Sequence, residues 1–156
     1  AGLLLRLKRD DEYRKFMEEY GRGRKMVLST SLSDKVTSRM MSIVMIDGKF
    51  YFQTDRNFRK YHQICKNPNV ALCIDNIQIE GMCREIGHPM DHEEFCGLYR
   101  ECFKNSYEMY SSLQDERLFV VEPTYIEKWT YIDSKPFVEV FEVEQKKYEI
   151  NPYVMA

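Results

Sequence analysis

RMMSIVMIDGKFYFQTDRNFRK, residues 39–60, is the stretch whose reading decides how this chain folds. Ser38–Ile46 reads as one strand and Lys49–Thr54 as the next, with Asp47-Gly48 between them. An Asp-Gly pair between two β-rich runs favours a tight hairpin turn, because both central residues tolerate a positive φ. Beyond the second strand, Arg56–Lys66 carries Phe58, Tyr61, Ile64 and Cys65 at helical spacing. Thr54 or Asp55 is expected to cap that helix, and Asn67-Pro68 to stop it.

A helix start has free N–H groups and the positive end of the helix dipole, so it favours an anion. Arg56, Arg59 and Lys60 at this start oppose the dipole, and an anion among them removes the conflict. A phosphate suits the role because Arg donates two parallel hydrogen bonds to it. The stretch therefore points to a phosphate site made of Arg39, Thr54, Arg59 and Lys60. A solvated helix face with a charge at a strand edge accounts equally well for the spacing taken alone.

Outward from this stretch, Lys25–Ser31 reads as a preceding strand, and Val70–Ile74 and Ile77–Ile86 as following ones. Leu118–Glu122 and Phe137–Val143 are two more, separated by Tyr125–Tyr131. Asp10–Tyr20 spaces Tyr13, Phe16, Met17 and Tyr20 three and four apart, as an amphipathic helix does. His92–Leu113 reads as a long helix with Phe95, Leu98, Tyr99, Cys102, Phe103 and Tyr110 on its apolar face. Six or seven strands with hairpin links and a few helices imply a mainly β, α+β protein built on an antiparallel barrel. Its 156 residues suit one domain over positions 1–156, with an N-terminal helix at about 10–20 and a helical insertion at about 92–113.

A net charge of −2 gives no global attraction to nucleic acid or to an anionic membrane surface. The apolar start Gly2-Leu3-Leu4-Leu5 is broken by Arg6 and Lys8, too soon for a signal peptide, and no stretch has the length of a membrane span. Five cysteines without a C-x-x-C pair read as buried, reduced thiols, so a soluble cytoplasmic protein is expected. His88 and His92, with Asp91, Glu93, Glu94 and Cys96 close by, are of zinc-binding type. Pro89 disfavours a helical His88, however, and a loop entering a helix with Asp91 as N-cap explains the same residues, so no metal is assigned. The 13% of aromatic residues serve cores, interfaces and flat-ligand pockets alike, and Trp129 is the one placed nearest a ligand.

Ser38-Arg39-Met40-Met41-Ser42 resembles the Arg-bearing second strand of the flavin-binding split-barrel family related to pyridoxamine 5′-phosphate oxidase. Lys49–Asp55 followed by Arg59-Lys60 resembles that family's strand–turn–helix clamp. Asn67–Leu72 and Asn76–Gly81 resemble the Asn-Pro stop and the two strands that follow it. The resemblance covers about residues 25–87 in order and spacing, and implies a six-stranded split β-barrel. It implies FMN as cofactor, its phosphate on Arg39, Thr54, Arg59 and Lys60, and its ring edge beside Met40, Met41 and Ser42. It further implies a homodimer with flavin at the interface, in which Asn76 reaches the flavin of the partner.

The activity implied is that of an FMN-dependent oxidoreductase on a small molecule, fed by a nicotinamide donor. The alternative is a flavin, haem or tetrapyrrole carrier without turnover, for which His62, His88 and His92 are conceivable ligands. Three departures argue against the oxidase itself. Val44 stands where that enzyme has a Lys, Phe58 where a hydroxyl residue is common, and Tyr148–Tyr153 lacks its Arg- and His-containing signature.

Overall fold

The structure, a computed structural model, describes residues 11–19 and 21–154. The start at Gly2–Leu5 and the expected ends of the first helix, Asp10 and Tyr20, lie outside them. A helix over 11–19 (α1) precedes strands β1 (Gly23–Leu32), β2 (Lys35–Ile46) and β3 (Lys49–Asp55). Helix α2 (Arg59–Lys66) leads into β4 (Asn69–Ile74) and β5 (Ile77–Gly87). A short 3-10 turn, α3 (Glu93–Cys102) and α4 (Lys104–Tyr110) follow, and β6 (Glu116–Ile132), β7 (Lys135–Glu142) and β8 (Lys147–Pro152) complete the chain.

All the pairings are antiparallel, in the order β3-β2-β1-β4-β5-β6-β7-β8. A further pairing of β3 with β6, from Phe50↔Val121 to Asp55↔Glu116, closes six of these strands into a barrel. The second half of β6 leaves the barrel wall to pair with β7, which in turn carries β8. As expected, Asp47 (φ 50°) and Gly48 (φ 77°) turn β2 into β3. Alternation aims Met26, Leu28, Ile43, Phe50, Phe52, Leu72, Ile79, Phe119 and Val121 into one core. Phe16 of α1 and Ile64 of α2 join it. Tyr13 Oη donates to the Gly48 carbonyl at 3.0 Å, so α1 closes the barrel end beneath the Asp47-Gly48 turn, while α2 covers the end where Thr30 and Val70 pair. On the outer face, α3 packs Phe95, Leu98 and Tyr99 against Val44 and Leu118.

Several expectations need correction. The helix after β3 starts at Arg59, because the Asp55 carboxylate is taken by Asn57 (backbone N at 2.7 Å, Nδ2 at 2.9 Å) and turns the chain without capping it. Phe58 holds the N-cap position, so neither Thr54 nor Asp55 does. The single helix expected over His92–Leu113 is divided at Phe103 (φ −138°, ψ 61°), and His92, not Asp91, holds its N-cap position. Tyr125–Tyr131 does not separate two strands but continues β6. Of the five cysteines only Cys83 is fully buried, while Cys65 and Cys73 are exposed. Among the described residues, no helix is long and apolar enough to cross a membrane.

Where β5 meets β6 the register shifts at Glu80/Gly81, leaving Pro123, which has no N–H to offer, opposite Gly81. A Cβ on Gly81 would lie 2.7 Å from the Glu122 carbonyl oxygen and 2.7 Å from Val121 Cγ1. Gly81→Ala is therefore expected to cost about 1–3 kcal/mol. Urea unfolding checks it, and an unchanged midpoint would contradict the close approach.

Candidate anion-binding site

Two elements bring the site together: the turn-side half of the β1–β2 hairpin, where Thr30 pairs with Thr37 and Leu28 with Arg39, and the first turns of α2. Arg56 is drawn away from it, paired to Asp115 at 2.8 Å. Arg59 and Lys60 then open the helix with no acidic residue in its first turn. The Lys60 ammonium lies 5.0 Å from the Phe58 ring centroid, so the residue that replaces a hydroxyl there supports the neighbouring cation through its ring face.

Arg39 reaches the same corner from β2. Its Nη1 donates to the Leu28 carbonyl (3.2 Å) and Thr30 Oγ1 (2.9 Å). Its Nη2 donates to Thr37 Oγ1 (2.6 Å) and, at 3.5 Å, to Gln63 Oε1. Gln63 also accepts from the Thr30 and Thr37 hydroxyls at 2.7 and 3.0 Å, so one buried amide oxygen ties β1, β2 and α2 together. Every acceptor in this network is neutral. Among the described residues no carboxylate forms an ion pair with Arg39, Arg59 or Lys60.

The electrostatics follow from that arrangement. Burial, and then the charge of Arg59, lower the pKa of Arg39. Burial followed by the charge of Arg39 lowers that of Lys60, and Glu116 partly offsets the effect. Three cations thus repel one another in a partly desolvated corner, where an anion would relieve them. Beside them, Thr54 Oγ1 is the one buried side-chain polar atom without a hydrogen-bond partner among the described residues. It lies in the row of Phe50 and Phe52, at the end of β3 that leads toward α2. The donor set fits a phosphate: two guanidiniums, an ammonium and an unsatisfied hydroxyl.

The other expected residues divide into two groups. Met40 is exposed on β2, Met41 packs on the core, and Ser42 hydrogen-bonds the Tyr99 hydroxyl from beneath α3. Asn76 and Trp129 are brought together away from the clamp: Trp129 N donates to the Asn76 carbonyl (3.1 Å), and Asn76 Nδ2 donates to the Trp129 carbonyl. They line a cavity of about 400 Å³ that includes no clamp residue. Thr30, Thr37 and Gln63 complete the Arg39 network with no local signal to reveal them. Glu116 was equally unmarked: a buried acid opposite Asp55 and within reach of Lys60, raised by desolvation first to about 7.

His88 Nε2 donates to the Leu113 carbonyl at 2.8 Å while its Nδ1 accepts from Met90 N. His92 Nε2 donates to the Ile86 carbonyl at 2.7 Å. Both rings thus brace the segment entering α3, and as placed neither offers Nε2 to a haem iron.

Residues 10–130 match the family model described as pyridoxamine 5′-phosphate oxidase. No curated protein sequence matches the chain. Among solved structures, General Stress Protein 26 from Bacillus anthracis is 25% identical with a TM-score of 0.57, over 74% of this chain and 89% of that one. A pyridoxamine 5′-phosphate oxidase-related, FMN-binding protein from Nostoc punctiforme reaches a TM-score of 0.63 at 11% identity, over 93% of this chain and 94% of that one. PhzG from Burkholderia lata, solved with tetrahydrophenazine-1-carboxylic acid, gives 0.60 at 14% identity, over 93% and 90% of the two chains. At such identities the last two speak for the fold.

Proposed function

The chain belongs to the pyridoxamine 5′-phosphate oxidase family, and on that premise we propose that it is an FMN-binding oxidoreductase acting on a small molecule. The observation that carries this reading is the corner of three cations without a carboxylate partner, beside the unpartnered Thr54 hydroxyl. Arg39, Thr54, Arg59 and Lys60 hold the phosphate, Lys60 and Arg59 from the start of α2 and Arg39 from β2. The Gln63 amide and the Thr30 and Thr37 hydroxyls keep the Arg39 guanidinium at the rim. Met40, Met41 and Ser42 run along the strand beside the ring system. The flavin, when bound, supplies two-electron redox chemistry, with a nicotinamide donor as the source of hydride.

The separation of Asn76 and Trp129 from the clamp supports a homodimer, in which these residues of one protomer serve the flavin held by its partner. On this reading residues 1–156 act as one domain in the cytoplasm. Val44 is fully buried beneath α3, where no substrate phosphate reaches it, which supports a substrate other than pyridoxamine 5′-phosphate.

Arg59→Ala combined with Lys60→Ala is expected to weaken FMN binding roughly tenfold to a hundredfold, the loss of about 1.5–3 kcal/mol in charge-assisted contacts. Quenching of flavin fluorescence reads it directly. Unchanged affinity in the double variant would show that the phosphate is held elsewhere.

A further inference from the structure

Where α1 meets the turn between β7 and β8 lies a cavity of about 330 Å³ that no clamp residue lines. Its floor is apolar. Phe141 is 2% exposed, and Tyr13 and Val143, half-buried, pack on the same core. Tyr13 and Phe141 meet in a T-shaped contact, with ring centroids 5.7 Å apart and planes at 73°. The Tyr13 hydroxyl donates to the Gly48 carbonyl at 3.0 Å, and burial keeps it neutral, its pKa pushed up to about 12. Val143 N donates to the Thr124 carbonyl at 2.9 Å, and the Val143 carbonyl accepts from Lys146 N at 3.2 Å. The polar groups of the floor are thus paired elsewhere, and ring and methyl surface is what remains to a ligand.

The rim has the opposite chemistry. Arg14, Lys146 and Lys147, all exposed, line it, and among the described residues the one acid on the lining is the half-buried Glu142. Glu142 lies across the β7–β8 ladder from Lys147, but no ion pair joins them, and among the described residues Lys147 forms none. Asp11, which pairs with Arg14 at 3.4 Å, and Glu144, in the same turn as Lys146, do not line the cavity. An apolar floor under a rim with excess positive charge fits a molecule that is apolar along its length and anionic at one end. We propose that this cavity is a second ligand site, independent of what the clamp holds, which takes a medium-chain carboxylic acid as its anion. The alkyl chain lies on Phe141, Tyr13 and Val143, and the carboxylate lies at the rim with Lys147 and Arg14. The volume is near the lower end of the roughly 300–1,000 Å³ range of small-molecule sites, which suits a single short chain and not the paired tails of a membrane lipid.

Calorimetric titration of the full chain with decanoate tests this. One decanoate per chain is expected to bind, about fifteenfold more tightly than octanoate, at about fourfold for each methylene buried. Decyltrimethylammonium, with the same chain and the opposite charge, is expected to bind about tenfold more weakly than decanoate. Lys147→Glu, at an exposed position, is expected to weaken decanoate about fivefold and to close most of that gap. Val143→Phe, which fills the cavity with a larger side chain, is expected to abolish decanoate binding while its circular dichroism spectrum stays native. If that variant does not fold, the two amphiphiles and Lys147→Glu decide alone. The proposal is overturned by a native chain that shows no saturable binding of decanoate or binds the cationic amphiphile equally well. It is overturned too by undiminished binding in a folded Val143→Phe, or by binding seen only with a chain lacking residues 1–9.

Discussion

Glu116→Gln is expected to stabilise the fold by about 3 kcal/mol near pH 8 and to remove most of the fall in stability between pH 4.5 and about 7. Glu116 is only 5% exposed, and burial is the first cause of its raised pKa. Asp55, its partner across the β3–β6 ladder, adds repulsion, and Lys60 opposes both without cancelling them. In the unfolded chain this carboxyl releases its proton near 4.5, in the folded chain only near 7. Across that interval the folded state binds more protons than the unfolded one. Its contribution to stability is therefore fully present below 4.5, declines as pH rises, and stays lost above 7. Gln preserves the shape of the neutral acid and cannot ionise. Urea melts at about pH 5 and pH 8 measure the effect: the native chain should lose stability between them, and the variant should lose far less. A variant as pH-dependent as its parent would place the titrating group elsewhere. Because the Glu116 carboxylate also draws on Lys60, the same variant should hold FMN at least as tightly as the native chain above pH 7.

The barrel was legible because its signals are local. Asp47-Gly48 demands positive φ at two successive residues, and the runs on either side have the length and composition of strands. Less local features were hidden. β8 is a six-residue edge strand that buries no side chain fully, and its alternation of Tyr148 and Ile150 with Lys147, Glu149 and Asn151 ends at Pro152, too brief to mark a strand. The continuity of β6 was masked by Pro123, which breaks a strand pattern on paper but is harmless at the bulge opposite Gly81. The site divides in the same way. Arg39, Arg59 and Lys60 stand out by charge and spacing, and the resemblance placed them in one clamp. The network that orients Arg39 draws Thr30, Thr37 and Gln63 from three elements, and nothing local marks any of them as a partner. Asp55 illustrates the opposite failure. Its position suited a helix cap, but a nearer amide group, that of Asn57, claimed its carboxylate first.

Phe119→Ala is expected to cost about 3–5 kcal/mol, a large share of the roughly 5–15 kcal/mol that holds a domain of this size together. Phe119 is 1% exposed and stacks on Phe52, with ring centroids 5.3 Å apart and planes within 7°. Tyr61 meets it in a T-shaped contact, with centroids 5.6 Å apart and planes at 77°. Tyr61 follows Lys60 on α2, so this three-ring column fastens the clamp helix to the barrel core. Without Phe119, Tyr61 retains its hydrogen bond to Glu85 (2.9 Å) but loses its packing surface. The variant should therefore bind FMN more weakly even under conditions where it is fully folded. Phe119→Leu, which restores most of the volume, should cost less than about 1.5 kcal/mol and keep most of the affinity. Phe141→Ala separates stability from site geometry. Phe141 is 2% exposed and packs with Phe16 and Tyr148 at the opposite end of the barrel, so its loss should destabilise the chain without moving α2. Urea unfolding and FMN titration of the three variants decide the matter. If Phe119→Ala and Phe141→Ala lower flavin affinity equally, the column does not position the clamp, and the weakening reflects lost stability alone.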